Sequence, residues 1–155
     1  MSNGERGRKL LAASREHLAE MEGALRRGSW NIAVRRAQEV VELALKAVLT
    51  YLCIDYPKVH DAAELFVATL AARQMPLSEV EAADVHAVSA RLAERRAPAF
   101  YFEYDEEPAG ARGAAADARR IQRLCARIAA DIERAAAARQ EQAGGDREPS
   151  AGAAD

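Results

Sequence analysis

A chain of 155 residues, half of them hydrophobic, with a formal net charge of -2, has room for one core and exerts no overall electrostatic pull on nucleic acid. Alanine fills 37 positions, and because it favours helices while burying little area, the expected core is helical and thin, which in turn favours self-association. No stretch carries the roughly 20 apolar residues that span a bilayer, Met1 to Ala12 is polar and basic without a signal core, and two cysteines make no disulfide framework, so a soluble, cytoplasmic protein without a membrane partner is expected.

The first helix is expected from about Glu5 to Arg27, with Leu10, Leu11, Leu18, Met21 and Leu25 at helical spacing and Gly28 ending it. Ser29 is placed to cap the second helix, which starts at Trp30. Its apolar residues at 30, 33, 37, 40, 41, 44, 45, 48, 49 and 52 require one broad face to be buried. That pattern carries the helix to about Cys53, before Asp55-Tyr56-Pro57 breaks it, and Cys53 and Cys125 both read as small buried hydrophobes.

Asp61 and Glu64 have capping-box spacing and open a third helix that ends at Gln74-Met75-Pro76. Ser78 and Glu81 repeat the spacing ahead of a fourth helix from about Glu79 to Arg96, buried through Val85, Val88 and Leu92. Pro98, Pro108 and Gly110 suggest a loop from Ala97 to about Gly110. The fifth helix follows from about Gly113 to Gln140, with a core stripe of Ile121, Leu124, Cys125, Ile128 and Ile132. Short connections favour an all-α, antiparallel up-and-down bundle of four to five helices over residues 1–140, and the Gly, Pro and charge of 141–155 predict a disordered tail.

Within the second helix, Ala37-Gln38-Glu39-Val40-Val41-Glu42-Leu43-Ala44-Leu45-Lys46-Ala47 is followed by a short loop and His60-Asp61. This arrangement resembles the HEPN domain (higher eukaryotes and prokaryotes nucleotide-binding), in which a small-apolar, Gln, Glu, Lys-Ala helix precedes one that opens on His-Asp. The resemblance singles out Gln38, Glu42, Lys46, His60 and Asp61. It implies a homodimeric module that binds a nucleotide or RNA, and a protein partner of the nucleotidyltransferase type in a two-component, toxin–antitoxin-like system.

Ribonuclease members of that superfamily carry an arginine four to six residues before a histidine. His17, His60 and His86 all lack one at that distance. Tyr101 stands where the histidine would be sought after Arg95 and Arg96, and a phenol with a pKa near 10 is a poor base at neutral pH. The expectation is a non-catalytic module with no catalytic residue, cofactor or metal. A degenerate ribonuclease using Arg95, Arg96 and Tyr101 is one alternative, and a purely structural dimerisation adaptor is the other.

The expected ligand-binding residues are Arg95, Arg96, Tyr101 and Tyr104, in a stretch that holds four of the chain's eight aromatics. Arginine can pair with phosphate and tyrosine can stack on bases. The same rings can plug the bundle or a dimer contact, and Glu103, Asp105, Glu106 and Glu107 oppose phosphate. His60-Asp61 reads equally as a helix cap. Arg120, Arg123, Arg127 and Arg134 form a stripe opposite the isoleucines of the last helix, either to track phosphates or simply to solvate that face alongside Asp131 and Glu133. Glu42 and Lys46 are spaced for a surface pair worth about 0.3–0.5 kcal/mol.

Overall fold

A computed structural model describes residues 1–56, 62–100 and 105–146, with 96–100 described by their backbone alone. Five helices run in the order α1 (Asn3–Arg27), α2 (Trp30–Tyr51), α3 (Ala63–Ala72), α4 (Glu79–Phe100) and α5 (Pro108–Gly145), and no strand occurs among the described residues. None of these helices is long and apolar enough to cross a membrane.

Cross-helix side-chain pairs establish the directions. Arg8 meets Glu133 and Glu22 meets Arg119, so α1 runs antiparallel to α5. Asp84 meets Arg120 and Arg91 meets Asp117, so α4 is antiparallel to α5 as well. Tyr51 bonds Glu133 while Trp30 lies beneath Arg112, which makes α2 and α5 parallel. The result is an up-and-down bundle with α3 as a short helix against α2 and α4.

In this bundle α2 and α5 are diagonal partners that nevertheless pack extensively, whereas α1 and α4 do not touch among the described residues. Small side chains explain the flattening. Ala111, Ala114, Ala115 and Ala118 of α5 are buried, as are Ala33, Ala37 and Ala44 of α2, and interaxial distance is governed by the side chains at the contact. The larger core residues, including Met21, Leu45, Leu49, Phe66 and Ile121, fill the space on either side. The seam expected on α2 is buried from Ala33 to Leu52, with Trp30 half-buried at its end. Gly7 lets α1 lie against the Tyr51 ring, since a Cβ there would come within 2.7 Å of it.

Helix ends follow local chemistry, with several corrections to the sequence expectations. Ser2 and Glu5 form a capping box on α1, and Ser78 and Glu81 form the expected one before α4. Ser29 occupies the N-cap position of α2 without making a side-chain cap bond. The first three helices end in the same left-handed turn, at Gly28 (φ 71), Cys53 (φ 58) and Gln74 (φ 54). In each, the following amide reaches back five residues: Ser29 to Ala24, Ile54 to Leu49 and Met75 to Leu70.

Cys53 therefore lies beyond α2 and is exposed, contrary to the buried reading, because its turn rotates it off the apolar stripe; Cys125 is buried as expected. The expected loop at 97–110 is also much shorter. α4 continues through Pro98 to Phe100, since a proline near a helix end removes only one amide donor, and α5 starts at Pro108, where a first-turn proline has no bond to lose. α5 runs past Gln140 to Gly145, and 147–155 lie outside the described residues.

Candidate functional site

Gln38, Glu42 and Lys46 are four residues apart and so fall on one stripe of α2. The stripe looks toward α4 and the start of α3, where a cavity of about 290 Å³ is lined by Gln38, Val41, Glu42, Leu45, Ala62, Ser89, Leu92 and Ala93. Among the described residues its walls are mostly apolar, and the polar groups are the Gln38 amide, the Glu42 carboxylate and the Ser89 hydroxyl. The amide nitrogen of buried Gln38 donates to the Leu92 carbonyl across the helix interface. Because a carbonyl only accepts, this bond orients the amide and leaves its oxygen as the acceptor side. Glu42 accepts from Lys46 at 2.5 Å with both side chains mostly buried, and the Lys46 ammonium also lies 5.3 Å from the Tyr56 ring centre.

Arg95 lies on the other flank of α4. Ser89 and Ala93 border the α2 cavity, whereas Arg91 and Arg95 turn toward α5. The guanidinium of Arg95 grips Glu106 through Nε and Nη2, with Nε to Oε1 at 2.9 Å, and its third nitrogen, Nη1, donates to the Gly110 carbonyl at 3.4 Å. Glycine at 110 permits the approach, since a Cβ there would stand 3.1 Å from Arg95 Nη2. The Glu106 amide in turn donates to Asn31 Oδ1 at 2.9 Å, tying the entry of α5 to the first turn of α2. The structure thus brings Gln38 and Glu42 together and holds Arg95 apart from them. Tyr101, Tyr104, His60 and Asp61 lie outside the described residues, as does the side chain of Arg96.

The arginine stripe on α5 is largely engaged by carboxylates. Arg120 binds Asp84 at 2.9 Å and Asp117 at 2.7 Å, Arg127 binds Glu81 at 2.7 Å, and Arg134 pairs with Asp131. The Asp84 and Asp117 bonds raise the Arg120 pKa further. Glu81 is held below the usual carboxylate range first by the Ser78 amide and then by Arg127. Arg123 is exposed on the same helix. Such a lattice cancels much of the positive potential that phosphate would need.

The other candidate groups have structural surroundings. His17 Nδ1 lies 3.2 Å from Glu39 and 3.6 Å from Glu20 within an ionic cluster that includes Arg36, and His86 is exposed on α4. Among the described residues no cluster of three His, Cys, Asp or Glu side chains is suited to a metal ion. Sequence reasoning missed Ser89 and Ala93, which carry no motif, as well as the Asn31–Glu106 link. Their only signal is position: Ser89 and Ala93 sit one residue past Val88 and Leu92, on the edge of the buried stripe of α4.

A family model described as HEPN domain matches residues 8–129, from the first turns of α1 to well into α5. No curated protein and no solved structure matches the chain.

Proposed function

The chain belongs to the HEPN domain family, and on that premise we propose that it is a non-catalytic binding module that holds a base of a nucleotide or of single-stranded RNA in the α2–α4 cavity. The observation that carries this reading is that Gln38 and Glu42 line one cavity together with apolar walls. Flat aromatic ligands are held in this way, by apolar contact over their faces and a few polar groups at their edge. A volume near 290 Å³ sits at the lower edge of the roughly 300–1,000 Å³ typical of small-ligand pockets, which suits one base and its sugar.

The absence of catalysis rests on the sequence, in which no arginine precedes a histidine by four to six residues. Phosphate is expected to remain outside, because the cavity lining includes one anion and no cation among the described residues. Self-association belongs to the same proposal, supported by the alanine-rich core and by Ile32 and Val80, which are exposed on the bundle surface, and a nucleotidyltransferase partner is proposed on the family resemblance alone.

The test is equilibrium binding of the full chain to mononucleotides and a short single-stranded RNA, with the RNA analysed for cleavage afterwards. Binding that falls at least tenfold in Glu42→Ala, with the RNA intact, is the expected result. Affinity unchanged by that substitution, or RNA cleavage by the pure protein, overturns the reading.

A further inference from the structure

Resting on the reading that the chain self-associates, we infer that the outward face of α4 pairs antiparallel with the same face of a second copy, with Ala83 beside the two-fold axis. Val80, Ala83, Ala87 and Ala90 recur every three or four residues and all are exposed, Val80 at 79%. At about 100 degrees per residue they fall opposite the Val85, Val88 and Leu92 stripe that α4 buries. The helix thus carries a second apolar seam, left uncovered among the described residues. Three alanines let two backbones approach closely, since the side chains at a contact set the interaxial distance, and Val80 supplies the largest apolar group.

A second copy is the occupant because the polar groups beside the seam complement themselves. Glu79 and His86 stand on one flank of it, seven residues and about 10 Å apart along the axis. Both are exposed, and neither makes a hydrogen bond or ion pair with another described residue. Antiparallel helices related by a two-fold axis set like flanks against each other. With that axis midway between Glu79 and His86, each imidazole donates to the partner's Glu79 carboxylate. The same register sets Val80 beside the partner's Ala87. A parallel pair would instead bring exposed Glu94, which continues the seam one turn beyond Ala90, against its own copy. The shared stretch is about three turns, below the roughly 1,200 Å² of standard interfaces, so the dimer is a weak one with a dissociation constant on the order of 10 µM.

Sedimentation of the full-length protein between about 1 and about 300 µM tests this, with circular dichroism checking that each variant keeps its helices. The parent is expected to pass from monomer to dimer across that range. Ala83→Glu sets two carboxylates across the axis and should weaken the dimer at least tenfold. Ala12→Glu, the same change at an exposed position of α1, should leave it within about twofold of the parent. His86→Glu faces the partner's Glu79 with a like charge and should weaken the dimer at least threefold. Adding Glu79→Lys to His86→Glu exchanges the two charges and should restore the parent's constant to within about twofold.

A dimer of unchanged strength in Ala83→Glu overturns this interface and leaves self-association standing. A dimer broken by Ala83→Glu yet indifferent to His86→Glu, or not restored by the charge exchange, overturns the antiparallel register. A chain that stays monomeric throughout the range overturns both the interface and the self-association reading, and leaves the face to a partner of another sequence.

Discussion

Arg95 and Glu106 meet fork to fork where α4 and α5 face each other, with Nε to Oε1 at 2.9 Å and Nη2 on Oε2. The side chain of Glu106 is only 5% exposed and that of Arg95 25%. Removing one partner of a buried ion pair destabilises by about 3–5 kcal/mol; water reaching Arg95 brings the expectation here to about 2–3 kcal/mol. Arg95→Ala should therefore lower Tm by at least about 5 °C in a chain of this size. Removing the buried carboxylate as well, in Arg95→Ala/Glu106→Ala, should recover part of that loss. Thermal unfolding followed by circular dichroism measures both, and a single variant as stable as the parent would show that the pair contributes nothing.

Tyr51 and Glu133 shape the pH dependence at both ends. Glu133 is held below its ordinary 4.5 first by the Tyr51 hydroxyl and then by Arg8, and Glu22 likewise by Arg119. Their folded-state pKa values lie below the unfolded ones, so their contribution is complete above about pH 4.5 and is lost as pH falls through the folded values. The Tyr51 phenol is pushed up to about 12, by burial first and by Glu133 second. Its contribution is complete below about pH 10 and is lost as pH rises through the folded value. Tm measured against pH should fall at both extremes, and Tyr51→Phe should flatten the alkaline fall. A difference absorbance titration between parent and variant should show one phenolate appearing near 12; ordinary ionisation near 10 would contradict this account.

Helix existence was readable from the chain because burial imposes a 3.6-residue period, and the α2 seam and the Val85, Val88, Leu92 stripe lie where that period puts them. Ends were less readable. Proline is a poor stop signal within a turn of either helix end, so Pro98 and Pro108 both sit inside helices that their presence had seemed to exclude. The pairing of Arg95 with Glu106 was not legible, because a sequence does not reveal that Glu106 folds back onto it. That Gln38 and Glu42 share one face of α2 was legible through their spacing, whereas the Ser89 and Ala93 wall of the cavity became visible only once α4 was set antiparallel beside α2.

Gln74 closes α3 with φ 54, and Met75 reaches back to the Leu70 carbonyl. A residue with a Cβ in the left-handed region is strained by about 1–2 kcal/mol, which glycine avoids, although glycine also loses more backbone entropy on folding. Gln74 is exposed, so no packing is sacrificed by shortening it. Gln74→Gly should stabilise the protein by about 0.5–1 kcal/mol and Gly28→Ala should destabilise it by about 1 kcal/mol, as read from denaturant midpoints at constant slope. Loss of stability in Gln74→Gly would mean that the turn is held by something other than backbone conformation.

Arg120 and Arg127 separate the two readings of the α5 stripe. An arginine that contacts phosphate weakens RNA binding across sequences when removed and reduces the salt dependence by about one counterion. An arginine already bound to carboxylates has little field left to offer, and Arg120 holds both Asp84 and Asp117 while Arg127 holds Glu81. All three bonds lie on exposed surface, where each pair is worth about 0–1 kcal/mol. Arg120→Ala/Arg127→Ala should therefore lower stability slightly, leave RNA affinity within about twofold of the parent, and keep the slope of affinity against salt unchanged. A uniform loss of affinity with a shallower slope would place the nucleic acid on α5, and the α2–α4 cavity would then cease to be the principal contact.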